Sequence, residues 1–237
     1  MERKKKNGII WLEFKLLQLF PEVKHGVFLN LELGEKDSPE NPRRALDLLG
    51  IKKGAKLKQC HKADIKEVAL DNQSLVHFDD YDGMVTAEKG VGLLIRHADC
   101  QATIFYDPVH QVLGNVHCGW RGSIQNIYRK TVNAIQAIYG TNPADLIVCI
   151  GPSLGPEAAE FKHYKEELPE VFWEYQVRPT YFDFWEISRI QLMEAGIPEK
   201  QIEIAKICTY ENKEEYFSYR RNKDTPHHGT LVGLVND

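Results

Sequence analysis

Apolar residues recur along this chain with two different periods. The short runs VGLLIR (91–96), ATIFY (102–106), QVLGNVH (111–117) and DLIVCIG (145–151) are too brief for helices and predict strands. The last is apolar enough to be buried on both faces. IKEVALDN (65–72) is a weaker strand candidate. Between the runs the spacing changes. Ile124, Ile127, Tyr128, Thr131, Ile135 and Ile138 recur at helical intervals until Gly140, which predicts a helix capped by Ser123. FDFWEISRIQLMEAGIP (182–198) carries a second helical pattern, ended by Gly196 and Pro198. Upstream, ELGEKDSPENPRRALDLLG (32–50) reads as a loop feeding a short helix, with Asn41 as cap, Pro42 at the first helical position and Gly50 as the stop. Strands alternating with helices in this way predict an α/β (α+β) architecture of mixed β-sheets flanked by helices. No repeat, low-complexity tract or flexible linker divides residues 1–237, so one domain is expected.

Composition narrows the partners. With 43% hydrophobic residues the chain can bury a substantial core. Its 30 basic and 34 acidic residues leave a formal charge of −4, which gives no bulk attraction to nucleic acid or to an anionic membrane. A small-molecule partner is expected instead. The opening MERKKKNGIIWLEFKLLQLF resembles a signal peptide, but Glu13 and Lys15 interrupt its apolar run and no small-residue cleavage site follows. Nothing approaches the roughly 18 apolar residues of a membrane span. Five cysteines, an odd number with no C-x-x-C pair, fit a reducing cytoplasm better than a secreted disulfide framework.

Three of those cysteines lie close to a histidine: Cys60 before His61, Cys100 after His97-Ala98-Asp99, and Cys118 after His117. Two imidazoles and one thiolate, His61, His117 and Cys100, would suit zinc, or copper as a competitor, and would leave a fourth position open as catalytic zinc requires. These residues are far apart and no short ligand pair links them. On residue type and spacing alone, ordinary packing accounts for them better than ligation does. Alternation along a strand ending at His117 sends Cys118 to the opposite face, and Cys60 stands in the same relation to His61. Cys149 reads as core.

In GWRG the glycines are expected to let the chain turn between strand and helix, with free amides beyond Gly119 and Gly122 offering an anion seat. Arg121 would add a bidentate contact to phosphate or carboxylate, with a surface salt bridge as the equal alternative. Trp120 reads as packing. IGPSLGPEAAEF (150–161) could close the mouth of a site, and EYFSYRRNKDT (215–225) sets aromatics beside Arg220 and Arg221, either to hold an anion or as an edge strand.

Taken together, QCH, HADCQATIFYDP, GNVHCGWRGS, IGPSLGP, YFDF, CT and YFSYRR follow the order and approximate separations seen in the laccase-domain family, which this chain resembles from about His61 onward. Members of that family, named polyphenol-oxidase-like, are described as purine nucleoside phosphorylases. The resemblance implies that His61, Cys100 and His117 bind one metal ion, usually zinc. It also implies phosphorolysis of adenosine and inosine, with methylthioadenosine cleavage and adenosine deamination as related activities. Purine nucleosides and phosphate would be the partners, with no nucleic acid or membrane, and the chain a monomer or homodimer.

The sequence departs from the family pattern in three places. The T-R-x-G-G-x-S loop near the N-terminus has no counterpart in KHGVFLNLELG (24–34); Glu157 and Ala158 replace a cysteine pair; and Lys62 stands where glycine is common. Without that loop, weaker phosphate dependence is expected, with Arg220, Arg221 or Arg43 as substitutes for its arginine. Laccase chemistry itself would require about ten histidines, largely as H-x-H pairs, to hold several coppers. The chain has nine, with no such pair. The remaining alternatives are a Cys100/His117 thiol hydrolase, a metal-dependent amidase acting on a cell-wall precursor, and a non-catalytic module that retains the metal.

Overall fold

A computed structural model describes residues 1–29, 40–70 and 74–235. The chain opens with β1 (Glu2–Lys6), β2 (Ile9–Glu13) and β3 (Val23–Phe28), then α1 (Glu40–Leu49) and β4 (Lys53–Lys58). Next come β5 (Ile65–Glu67), β6 (Leu75–Asp79), β7 (Gly83–Thr86), β8 (Val91–His97), β9 (Gln101–Asp107) and β10 (Val112–Cys118). Two helices follow, α2 (Trp120–Ile124) and α3 (Ile127–Tyr139), and then β11 (Ile147–Ile150), α4 (Tyr164–Glu167), β12 (Gln176–Arg178) and β13 (Tyr181–Phe182). The last elements are α5 (Phe184–Glu194), β14 (Ile202–Ile204) and β15 (His228–Leu234).

The strands form a seven-stranded sheet, β1-β2-β3-β15-β8-β4-β6, a six-stranded sheet, β14-β11-β9-β10-β7-β5, and the β12-β13 pair. The larger two pack face to face. Along β9, Ala102, Ile104 and Tyr106 join Leu93, Ile95 and Val232 of the other sheet in one core. Phe105 points the opposite way, onto Ile127, Tyr128, Val132 and Ile135 of α3 and Leu192 of α5. The six-stranded sheet is therefore covered on both faces, which is why its strands read as continuous apolar runs. Each large aliphatic side chain buried there contributes about 1.5–3 kcal/mol. On the outer face of the seven-stranded sheet, Leu46 of α1 packs with Leu94 and Leu231. Helices thus flank a pair of mixed sheets, as the alternating pattern predicts.

Several boundaries differ from expectation for identifiable reasons. The single helix expected from Ser123 is two. Asn126 adopts a left-handed conformation (φ 49°, ψ 58°), breaks the run and caps α3, its side chain accepting from Arg129 N at 3.1 Å. Asparagine tolerates that conformation, and such a cap contributes about 1 kcal/mol. Ser123 is instead buried, its hydroxyl against Cys118 Sγ at 3.3 Å. The signal-like opening forms the β1–β2 hairpin, turned by Asn7 and Gly8, both at positive φ. The helix within the 32–50 stretch starts at Glu40, ahead of the expected cap, and the loop expected over 32–39 lies outside the described residues. Arg220 and Arg221 sit in turns rather than an edge strand. Among the described residues no helix is long and apolar enough to cross a membrane.

Candidate metal centre

The sandwich brings the three expected ligands to one end. Cys100 lies where the chain passes from β8 in one sheet to β9 in the other, and His61 lies on the equivalent passage from β4 to β5. His117 is the penultimate residue of β10, opposite Ala102 in the β9 register and so near Cys100. One ligand atom from each of His61, Cys100 and His117 lies within 4.8 Å of the others. The two imidazole rings stand edge to face, 4.9 Å apart. Two nitrogens and a sulfur at this separation, partly open to solvent, fit a zinc-like ion held by three protein ligands with one position left for substrate or water. His61 is exposed, Cys100 half-buried and His117 buried.

Asp82, not singled out by the sequence reading, supports this corner. It is fully buried just before β7. Its Oδ1 accepts from His61 N at 3.0 Å and His117 Nδ1 at 2.9 Å; Oδ2 accepts from Lys62 N at 2.7 Å, Cys60 N at 3.3 Å and Cys60 Sγ at 3.1 Å. Burial alone would raise its pKa, but the bonds from His117, Cys60 and the Lys62 amide hold it well below the usual carboxylate range. An acidic residue set flush against an apolar strand, DGMV, is the signal that could have marked it.

The electrostatics favour a thiolate. Burial pushes the Cys100 thiol up, yet the charge and hydrogen bond of His117, joined by His61, outweigh it and bring the pKa down to about 6. Burial pushes His117 down, but the Cys100 charge and the Asp82 hydrogen bond carry it up to about 9. Cys118 faces the core, where burial raises its thiol to about 12. Cys149 is wholly buried in the apolar core. Cys60 faces Asp82, and burial followed by that carboxylate raises its pKa.

Gly119 is needed for space rather than for torsion. Its φ of −84° and ψ of 176° are open to any residue, but a Cβ there would lie 3.0 Å from Cys100 Sγ and 3.4 Å from His61 Cδ2. The turn expected from glycine conformational freedom is thus a steric clearing beside the ligands. Gly122 is buried inside α2, whose five residues are too few to form an anion seat by their amides alone.

Above the trio opens a cleft of about 1000 Å³. Among the described residues, Lys58, Arg96, Arg121, Arg220 and Lys223 line it against a single acidic residue, Asp99, in a chain whose net charge is −4. Asp99 is itself engaged by Thr209 Oγ1, Ser218 Oγ and Arg220 N at 2.7, 3.0 and 2.6 Å. Arg121 stacks on Trp120 at 4.1 Å, Trp120 meets Phe161 edge to face at 5.8 Å, and Arg220 lies over Phe161 at 5.9 Å. Among the described residues no carboxylate pairs with Arg121. The Gly-Pro segment contributes Ser153, Leu154 and Phe161 to the cleft lining. Arg221 is tied to the Thr209, Tyr210 and Tyr216 carbonyls, and Arg43 bonds Ser74 Oγ away from the cleft. Of the three substitutes for the family arginine, only Arg220 reaches the cleft. The 24–34 segment that stands in place of that family loop falls partly, at residues 30–34, outside the described residues.

Comparison with known proteins fits this geometry. The family described as multi-copper polyphenol oxidoreductase laccase matches residues 23–236. A purine nucleoside phosphorylase from Bacteroides thetaiotaomicron is 34% identical over 158 residues, 63% of this chain and 58% of the relative. The human purine nucleoside phosphorylase LACC1 is 30% identical over 83% of this chain but only 47% of its own length. The chain therefore spans about half the length of these relatives. The crystal structure of YlmD from Geobacillus stearothermophilus superposes with a TM-score of 0.82 at 25% identity, covering 98% of each chain. Because that family model matches residues 23–236, nearly the whole sequence, the chain belongs to the multi-copper polyphenol oxidoreductase laccase family.

Proposed function

We propose that the chain is a zinc-dependent purine nucleoside phosphorylase acting on adenosine and inosine, and on methylthioadenosine, with adenosine deamination as a secondary activity. The observation that carries this reading is the juxtaposition of His61, Cys100 and His117 with a cation-lined cleft on an otherwise acidic chain. Curated relatives named purine nucleoside phosphorylase support the reaction class. We read residues 1–237 as one domain, since one core draws on both large sheets.

In this reading His61, Cys100 and His117 hold the ion. Such an ion, when bound, supplies Lewis acidity at the cleft floor. The thiolate character of Cys100 at neutral pH lowers the cost of giving up a proton to bind it. Arg121 and Arg220 hold phosphate, and the Trp120–Phe161 pair flanks the base. Phosphorolysis forms a bond from a phosphate oxygen to ribose C1′ and breaks the C1′–N9 bond. The electron pair leaves with the purine, which takes up a proton, and ribose 1-phosphate remains. The residues' task is to hold an anion in line with C1′ while screening its charge.

One observation favours a second reading. The Cys100 thiolate beside His117 is also the pair of a thiol hydrolase. Metal analysis separates the two. The phosphorylase reading expects about one zinc per chain, lost in His61→Ala, Cys100→Ala and His117→Ala and kept in Cys118→Ala. A nucleoside panel with and without phosphate then tests the reaction. Adenine and ribose 1-phosphate rising with phosphate support phosphorolysis. Inosine alone, independent of phosphate, would reduce the activity to deamination and remove the phosphorylase reading.

A further inference from the structure

Asp82 stands at the junction of two ligand-bearing segments. Its Oδ1 is shared between the His61 amide and the His117 ring, and its Oδ2 between the flanking Cys60 and Lys62 amides and the Cys60 thiol. His117 N also donates to Asp82 O at 2.7 Å, so backbone and side chain fix the same residue. His61 lies at φ 59°, a left-handed conformation that strains a non-glycine residue. Three successive amides, Cys60 to Lys62, converge on the carboxylate and offset that strain, as in a backbone nest around an anion.

The chemistry of the acceptor sets the tautomer. An ionised carboxylate only accepts, so His117 Nδ1 carries the hydrogen and, in the neutral ring, the lone pair is left on Nε2. We propose that Asp82 is the positioning residue of this centre: one buried carboxylate seats His61 and orients His117, so that both rings face Cys100 before an ion arrives. This rests on the metal reading given above and goes beyond it in naming the group that preorganises the site.

Asparagine in place of Asp82 makes the division of labour testable, because its amide has one accepting oxygen where the carboxylate has two. If that oxygen faces His61 N and His117 Nδ1, an NH₂ group meets the Cys60 and Lys62 amides. If it faces those amides, an NH₂ meets His117 Nδ1 and forces the hydrogen to Nε2, the atom needed for the metal. Either orientation breaks one arm of the clamp.

The experiment compares wild type with Asp82→Asn in the purified full chain. Zinc affinity is read by competition against a chromophoric chelator, and amide exchange at Cys60, His61 and Lys62 in the metal-free protein. Nitrogen NMR of zinc-loaded wild type gives the His117 tautomer. The proposal expects zinc binding weaker by about 10- to 100-fold in the variant, those amides exchanging at least about tenfold faster, and His117 protonated on Nδ1. Unchanged zinc affinity in a folded Asp82→Asn, or a His117 that ligates through Nδ1, overturns it. Should the variant not fold, the wild-type tautomer decides. If wild type takes up no zinc, the metal reading fails by itself; unchanged exchange in metal-free Asp82→Asn would then reject the clamp as well.

Discussion

His117 and His228 are both buried, 3% and 0% exposed, yet the protein drives them in opposite directions. His117 has Asp82 on one ring nitrogen and the Cys100 thiolate beside it, and is carried up to about 9. His228 lies on β15 against His97 at 4.2 Å and Tyr216 at 5.5 Å, and neither of its ring nitrogens has a hydrogen-bond partner among the described residues. Burial, followed by the repulsion of His227, pushes it down to about 3. Desolvation is common to the two. The difference is an acceptor and a counter-charge, which make one histidine part of a charged site and leave the other a neutral packing group.

The sharpest way to break this comparison is to exchange the consequences of mutation. His117→Ala and Cys100→Ala should each weaken zinc binding by at least about 100-fold, since each removes one of three protein ligands. His228→Phe, at a site framed by Tyr216 and Phe217, should keep zinc binding within about threefold. Chelator competition on the three variants measures both, and a His228→Phe protein that folds but loses zinc would show that the two histidines act as one unit.

The Cys100–His117 pair gives the next largest effect. In metal-free protein, alkylation of Cys100 should rise with an inflection near pH 6 rather than near the ordinary 9.0, and His117→Ala should move the inflection upward. Saturating zinc should protect the thiol. An inflection near 9 in the wild type would mean that His117 does not stabilise the thiolate.

Stability against pH sharpens the contrast further. The folded value of His117, about 9, lies above its ordinary 6.5, so its contribution is complete below 6.5 and lost as pH rises through about 9. Cys100 falls from 9.0 to about 6; its contribution is complete above 9.0 and lost as pH falls through about 6. His228 at about 3 and His25 at about 4 lie below 6.5, so the stability tied to their neutral forms is present above 6.5 and lost as pH falls through those values. Metal-free protein should lose thermal stability below pH 6, by roughly 2–4 °C per kcal/mol for a chain of this size. His228→Phe should flatten that acid limb and leave the alkaline limb alone, and melting curves at a series of pH values would expose the reverse.

The same contrast shows what a sequence can disclose. β8, β9 and β10 could be named from apolar runs, a local signal, whereas His61, Cys100 and His117 were only candidates by residue type, outweighed by ordinary packing until the family motifs joined them across 56 residues. Asp82 could not be ranked, since its role exists only through donors 20 to 22 residues upstream and 35 residues downstream. β15 escaped for a related reason: it pairs with β3 and β8 across more than a hundred residues, and nothing in HGTLVGL announces those neighbours. The α2–α3 break was written in the residue Asn126, but helical spacing on either side of it outweighed the one position that tolerates a left-handed turn. In GWRG the glycines were legible, and the reason for Gly119 was not, because it depends on Cys100 Sγ arriving from another sheet crossing.

Arg121 provides the smallest expected effect on stability and tests the cleft rather than its floor. Its side chain is exposed and held by stacking on Trp120 at 4.1 Å, an interaction of about 0.5–1 kcal/mol at an open site. Removing it should lower the melting temperature by no more than about 4 °C and leave zinc content unchanged. Its guanidinium is nonetheless one of five cationic groups that line the cleft among the described residues, and a hydrogen bond to a charged ligand is worth about 1.5–3 kcal/mol, enough to raise the KM for phosphate about tenfold or more in Arg121→Ala. Arg121→Lys should recover part of that loss, since a lysine keeps the charge and gives up the planar fork. Phosphate dependence measured beside zinc content and melting temperature separates the roles. If Arg121→Ala unfolds or sheds zinc, the residue belongs with His117 and Asp82 in building the site; if phosphate dependence does not move, the cations of the cleft are a solvated rim and the anion binds elsewhere.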